Sequence, residues 1–281
     1  MNVIGDVPAL RTLARAARGR GDTIGFVPTM GALHEGHLSL VRRARQDCGF
    51  VVVSIFVNPL QFAPGEDFSR YPRQPEEDEK ALAATGADLL YRPDEKSFYP
   101  PDFSTAVEVG GVSEGGEGAV RPGHFRGVAT VVTKLFLEVA PDTAYFGRKD
   151  LQQVAVVGRL IQDLDFPIRL VVCDTIRDPD GLALSSRNAY LSAFERKLAV
   201  SLPRALFGAR ARAAGGERDP ATLERQTRIE LERAGLAVDY VEVVDCESMR
   251  RPQRIGPGVA LAAAIRLGKT RLIDNVLLLD E

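Results

Sequence analysis

Two of the chain's three histidines, His34 and His37, stand three residues apart in the segment PTMGALHEGH, residues 28–37. That spacing at a helix start puts both imidazoles on one side. An imidazole donates a hydrogen bond to a phosphate oxygen, and more strongly when protonated. Gly31 and Gly36 let a backbone or a ligand approach closely. Helix N-termini attract anions, and ligands of an open α/β sheet sit beyond the carboxyl ends of its strands. The segment therefore suits a phosphate-bearing ligand. Three plainer readings stand beside this one: surface or capping histidines, a metal site, and a tight turn at residues 28–30. HEGH is one residue shorter than H-E-x-x-H and has no evident third ligand, which weighs against zinc.

Other segments carry compatible chemistry. YFGRKD places Gly147, Arg148, Lys149 and Asp150 at another strand-to-helix junction. There a lysine reaches phosphate as a compact point charge, or simply lies in solvent, while Asp150 suits a helix cap. Leu184, Ser185, Ser186 and Arg187 bring two hydroxyls and a guanidinium into sequence. Arginine offers phosphate a planar fork of donors, so a loop here suits a mobile clamp, and capping is the plainer role. Asn58 and Gln61 follow the most apolar run, and Gln153 follows Lys149. Amides read hydroxyl and carboxylate groups without adding charge. Glu76, Glu77, Asp78 and Glu79 open a charged helix, as its dipole favours, with magnesium ligation as a secondary role. The third histidine lies in RPGHFRG, residues 121–127, where Pro-Gly marks a turn. It and its two arginines either serve an anion or order the loop.

The elements that must hold these residues alternate. Residues 24–27, 51–57, 87–91, 143–146 and 168–172 read as strands, and 38–45, 75–85, 127–139 and 150–164 as helices. Near the N-terminus, Val7, Leu10, Leu13, Ala14 and Ala17 give a helix face. This order implies an α/β fold, a doubly wound parallel Rossmann-like sheet over residues 1–175. The pattern then changes. Residues 192–214 read as one long helix bent at Pro203, and 219–234 as a helix capped by Asp219. Strands at 238–244, 259–266 and 271–279 follow, the last two joined by a hairpin turn. A smaller α+β domain, a lid, is expected over residues 176–281. Residues 110–118 are glycine-rich enough for a mobile loop.

Bulk properties limit the alternatives. The 281 residues comprise 45% hydrophobic and 26% charged residues, a globular balance long enough for two cores. Thirty-six basic against 38 acidic residues give a net charge of −2, which argues against general nucleic-acid binding. No apolar run approaches the roughly 20 residues that span a bilayer. The N-terminus lacks the apolar core of a signal peptide, and the three cysteines form no CxxC. A cytoplasmic protein without membrane or nucleic-acid partners is expected.

Five segments, PTMGALHEGH, FVNPLQF, RPGHFRGVATVV, YFGRKDLQQ and LSSRN, resemble the pantothenate synthetase family in order and spacing. That family belongs to the wider HxGH nucleotidyltransferases. The resemblance implies a two-step reaction: ATP and pantoate form pantoyl adenylate and pyrophosphate, then β-alanine displaces AMP to give pantothenate. It places ATP at Met30, Gly31, Ala32, Leu33, His34, Glu35, Gly36 and His37, at Gly147 through Asp150, at Ile176 beside the adenine, and at Leu184 through Arg187. His37 becomes the proton donor. His34, Lys149, Ser185 and Arg187 complete the catalytic set. Gln61 and Gln153 match the pantoate-binding glutamines, with Gln61 also near β-alanine and Asn58 beside it. Mg²⁺ would bridge phosphate oxygens, with Asp78 as a helper, and a cytoplasmic homodimer is typical.

Two positions depart from the family pattern. Leu184 stands where methionine is common, a near-isosteric change. Arg148 stands where an acidic or neutral residue is frequent, and it either strengthens phosphate binding or points to solvent. Two rival functions remain, another adenylyltransferase and a nucleotide-binding regulator without turnover. The first would want extra cations for an acceptor phosphate rather than the neutral Gln61–Gln153 pair; the second needs no second-substrate site.

Overall fold

Six parallel strands organise the N-terminal part of the chain, whose residues 1–279 are described by a computed structural model. They are β1 (Asn2–Ile4), β2 (Ile24–Thr29), β3 (Phe50–Ile55), β4 (Leu89–Tyr91), β5 (Thr143–Gly147) and β6 (Arg169–Cys173). Their order is β1-β4-β3-β2-β5-β6, parallel throughout. From β2 the chain builds outward through β3 and β4, then returns to place β5 on β2's other side. The order therefore reverses between β2 and β5, the position where open α/β sheets bind ligands. Every residue of β3 is buried, as its continuous apolar run requires of a central strand. The edge strand β1 was not anticipated, since three residues are too few to show a period.

The helices between these strands follow their caps and apolar faces. Helix α1 (Val7–Gly19) starts where Asp6 accepts from the Ala9 N–H at 2.8 Å, and it buries Leu10, Ala14 and Ala17. Next come α2 (Glu35–Asp47), α3 (Pro75–Ala83) and the single turn α4 (Glu95–Phe98). The later elements are α5 (Gly116–Val120), α6 (His124–Val139) and α7 (Leu151–Asp163). Helix α6 is apolar around most of its circumference and is correspondingly buried. At Gly127 it presses so closely on the turn Pro59–Gln61 that an added methyl would overlap the Leu60 carbonyl.

The second unit gathers Gly110–Val120, Arg148–Ala155 and the chain from Asp174 onward. Two segments from earlier in the chain thus pack with the C-terminal part, a division that no single cut point expresses. Its sheet is antiparallel: β7 (Ala237–Asp245), β8 (Val259–Leu267) and β9 (Thr270–Leu277). Strand β8 alternates strictly. Leu261, Ala263 and Ile265 join Leu202, Leu206, Leu223 and Leu231 in the larger core. Ala260 and Ala262 face the other way, toward Leu151. The hairpin turn is at Gly268, whose φ is 55°, as expected for glycine in a tight connection.

Two expectations change. The long helix is two helices, α8 (Ala193–Ala199) and α9 (Ser201–Ala214), separated at Val200. Pro203 has no N–H to give the Ala199 carbonyl, so the ladder fails before the proline, which then sits in α9's first turn. Helix α10 (Pro220–Arg233) follows, with Asp219 accepting from the Ala221 and Thr222 N–H groups. The glycine-rich stretch expected to be a mobile loop is instead tied down. Gln152 accepts from the Glu117 N–H at 2.9 Å and donates to the Val112 and Gly115 carbonyls at 3.0 and 2.9 Å. Glycine content signalled backbone freedom; Gly116 uses it, at φ 49°, to make a turn that Gln152 then holds.

Gly127→Ala should lower stability by about 1–3 kcal/mol, the usual effect of overpacking. Thermal melting checks it, and an unchanged midpoint would mean that α6 and the Pro59–Gln61 turn separate without cost.

Candidate functional site

In the first unit, the end of β2 leads through Met30–Leu33 into α2. Gly31 and Ala32 both take left-handed backbone conformations, at φ 80° and 49°. For alanine this costs about 1–2 kcal/mol, so something must hold it. Asp78 does. Its carboxylate, 2% exposed, accepts the Ala32 N–H at 2.9 Å and the Leu33 N–H at 2.7 Å. The carboxylate suggested as a magnesium helper is thus engaged by both oxygens with main-chain donors, and its visible job is to clamp the loop.

His34 is the N-cap of α2. Its Nδ1 accepts the Gly36 N–H at 3.2 Å, and the Nδ1 of His37 accepts the His34 N–H at 3.3 Å, a reciprocal capping box. These bonds decide the tautomer. A ring nitrogen that accepts carries no hydrogen, so each neutral imidazole bears its proton on Nε2. The two rings lie 4.1 Å apart between centroids. The capping reading and the phosphate reading are therefore compatible: Nδ1 caps the helix and Nε2–H is the donor.

Gln61, 8% exposed, lies in the turn after β3. Asn58, 1% exposed, donates to the Gln61 Oε1 at 3.0 Å and to the Gly127 carbonyl at 3.1 Å. It accepts from the Leu60 N–H and from the Tyr99 hydroxyl at 3.0 Å. All its polar capacity goes to orienting Gln61. The Gln61 Nε2 donates to the Met30 sulfur at 3.1 Å, joining the two motifs. The main-chain carbonyl of Gln61 accepts from His124 Nδ1 at 2.9 Å and from the Arg121 guanidinium at 3.2 Å. Arg121 also grips Glu66 at 2.7 and 2.8 Å. Burial pushes the Glu66 carboxyl up, but Arg121 outweighs it and holds the group below its ordinary value. Of the two readings of residues 121–127, ordering the loop is what the contacts describe.

Gly147 ends β5 in the first unit, and the second unit holds the remaining residues. Arg148, Lys149 and Asp150 form a single 3₁₀ turn before α7. Asn275 of β9 donates to the Arg148 and Lys149 carbonyls at 2.9 and 3.0 Å. Arg148 leans toward Asp174 at 3.5 Å, and Lys149 toward Asp150 at 3.6 Å, both too long for strong pairing. Gln153 is half-buried. Its neighbour Gln152 carries the bonds to the glycine-rich segment. Ile176 and Leu184 are brought together by a small hairpin, where the Leu184 N–H reaches the Ile176 carbonyl at 3.0 Å. Arg177, in that hairpin, pairs with buried Asp274 of β9 at 2.7 and 2.9 Å. The Ser185 hydroxyl accepts the Arg187 N–H at 3.3 Å and caps the turn Ser186–Tyr190. Asn188 donates to the Ala183 carbonyl, while Ser192 caps α8 in a box with Glu195.

Sequence reasoning missed the residues that do this holding: Glu66, Asp274 and Asn275. Isolated polar residues in loops or strands carry no spacing signal, although a buried Asp-Asn pair inside an apolar strand asks for partners.

Comparison with known proteins points to one family. The family described as pantoate-beta-alanine ligase matches residues 2–277. A pantothenate synthetase of Moorella thermoacetica is 48% identical over 279 residues, 99% of each chain. One of Gluconobacter oxydans is 52% identical over 263 residues, 93% of this chain and 96% of that one. The crystal structure of pantothenate synthetase from Thermus thermophilus superposes with a TM-score of 0.93 at 46% identity, over 99% of both chains. That of the pantoate-beta-alanine ligase of Francisella tularensis, complexed with beta-gamma ATP and beta-alanine, gives 0.84 at 33% identity, over 99% of this chain and 98% of that one.

Asp78→Ala takes the acceptor from the buried Ala32 N–H and the half-buried Leu33 N–H, which should cost about 1–3 kcal/mol. Faster hydrogen exchange at the Ala32 and Leu33 amides, with a lower melting midpoint, is the expected result. Wild-type exchange at both would show that the loop holds itself.

Proposed function

The chain belongs to the pantoate-beta-alanine ligase family, and we propose how its residues divide the work of that reaction. The protein is a ligase that joins pantoate to β-alanine with cleavage of ATP. In our reading the reaction has two steps. A carboxylate oxygen of pantoate bonds to the α-phosphorus of ATP as the bond from that phosphorus to the bridging oxygen breaks, releasing pyrophosphate. The β-alanine amine then bonds to the acyl carbon, the bond from that carbon to the phosphate oxygen breaks, and AMP leaves as the amine sheds a proton.

The observation that carries the assignment is the capped histidine pair. Both Nε2–H groups are donors by necessity, because both Nδ1 atoms are occupied by the helix start. Fixed donors that need no reorganisation stabilise charge developing on phosphate oxygens. We assign them to ATP, with the Nε2–H of His37 donating a hydrogen bond to the leaving pyrophosphate. The main chain of residues 30–33, set by Asp78, shapes the same binding segment. We also assign Gly147 of the first unit, and Arg148–Asp150, Ile176 and Leu184–Arg187 of the second, to the nucleotide. Lys149, Ser185 and Arg187 neutralise phosphate charge there. Gln61 and Gln153 take pantoate through neutral amides that match a hydroxyl and a carboxylate. Asn58 serves by orienting Gln61.

Mg²⁺, which the resemblance implies, would arrive on the phosphates. Among the described residues no three His, Cys, Asp or Glu side chains cluster as ligands, and Asp78 is engaged elsewhere. No residue of this chain is assigned to it and no step above depends on it. The resemblance also supports a cytoplasmic homodimer. Among the described residues no helix is long and apolar enough to cross a membrane.

Incubation with ATP, pantoate and β-alanine should yield AMP, pyrophosphate and pantothenate. ATP–pyrophosphate exchange should require pantoate and not β-alanine. Exchange that depends on β-alanine would rule out the adenylate. His34→Ala, His37→Ala and Lys149→Ala should each lower kcat by roughly 10²–10³, the scale of one lost transition-state donor. Near-normal turnover in all three would overturn the phosphate assignment.

A further inference from the structure

The carbonyl oxygen of Gln61 is held by an apparatus larger than a turn needs. Arg121 and His124 both reach it, at 3.2 and 2.9 Å. Arg121 Nη1 also lies 3.1 Å from His124 Nε2. A guanidinium only donates, so His124 Nε2 must accept. The hydrogen of the neutral ring is then on Nδ1, which donates to the Gln61 carbonyl. Arg121 in turn is locked by two bonds to Glu66, the planar fork matched to a carboxylate. The chain of control runs from Glu66 to Arg121, from Arg121 to the His124 tautomer, and from both to Gln61.

The Gln61 side chain is fixed separately, by Asn58 and the Met30 sulfur. Holding the main chain as well leaves the amide one orientation. We propose that Glu66, Arg121 and His124 form a positioning relay that aims the Gln61 amide at pantoate, with neutral His124 as its working form. This rests on the reading of Gln61 as a pantoate ligand. Protonating His124 would turn Nε2 from acceptor to donor against the Arg121 guanidinium, putting two like charges in contact. The groups facing the ring include Arg121 and the Phe125 ring, 4.9 Å away, from its own stretch, with Glu66 and the Gln61 carbonyl from the segment after β3. Glu66 is held by Arg121, yet its carboxylate also attracts a charged His124 and offsets part of the repulsion from Arg121. Pantoate affinity is therefore expected to weaken toward acid pH through this ring.

The test uses His124→Ala and His124→Asn in the whole enzyme. Asparagine can keep a donor toward the Gln61 carbonyl and an acceptor toward Arg121, and it does not titrate. His124→Ala should raise the pantoate KM about tenfold, the weight of one such hydrogen bond, and change kcat less. His124→Asn should restore most of that loss and abolish the acid-side rise in pantoate KM expected of the wild type. In the ligand-free protein, hydrogen exchange at the Phe62 amide, which closes the Gln61 turn, should quicken in His124→Ala and not in His124→Asn. A wild-type pantoate KM in His124→Ala, or no rescue by asparagine, overturns the relay. Gln61→Ala separates the two readings. If it leaves the pantoate KM unchanged, the substrate assignment fails, and amide exchange alone then decides whether His124 positions Gln61.

Discussion

A helix that begins beside a ligand must satisfy its own first N–H groups before it can offer anything to that ligand. Helix α2 does so with imidazoles. Serine or aspartate would cap equally well. Neither would leave a second, rigidly aimed donor on the same side chain. Once Nδ1 of His34 and of His37 has accepted a main-chain hydrogen, the proton on each ring has only one place to be. The cap thus sets the chemistry of the pair. The loop just before it is strained, and that strain is also held by hydrogen bonds: Ala32 is left-handed, and Asp78 takes its N–H and that of Leu33.

The same economy of charge recurs at Gln61. A buried amide is costly unless all its groups are paired, and the solution here is a second buried amide, Asn58, whose every polar atom has a partner. The side-chain partners of Gln61, Asn58 and the Met30 sulfur, carry no formal charge. The charged residues stay behind the main chain: Glu66 and Arg121 pair with each other and act on the carbonyl. Gly127 supports the arrangement by absence, since only a residue without Cβ lets α6 approach the turn this closely.

In the second unit, β9 has an equivalent role. Two adjacent residues of one strand, Asp274 and Asn275, hold two stretches that lie far apart in sequence. Asp274 holds the hairpin that carries Ile176 and Leu184, and Asn275 holds the turn that carries Lys149. A strand is a rigid mount, and buried polar side chains on it are well placed to order the backbone of loops that must bind.

The amino-acid sequence by itself determined the alternation of strands and helices, the change of pattern after residue 175 and the segments proposed to carry the chemistry. Each is written in local periodicity, caps and glycines. His34–His37, Lys149 and Ser185–Arg187 could be proposed because motifs keep chemistry at short, fixed spacing. Tertiary structure decided what those groups have to work with. It made Asp78 a loop clamp and Asn58 an orienting amide. It set His124 against Gln61 and Asn275 against Lys149, and it tied down a glycine-rich stretch that composition alone reads as mobile. Most of these depend on hydrogen bonds between residues tens of positions apart, and such bonds leave no period in the sequence to read.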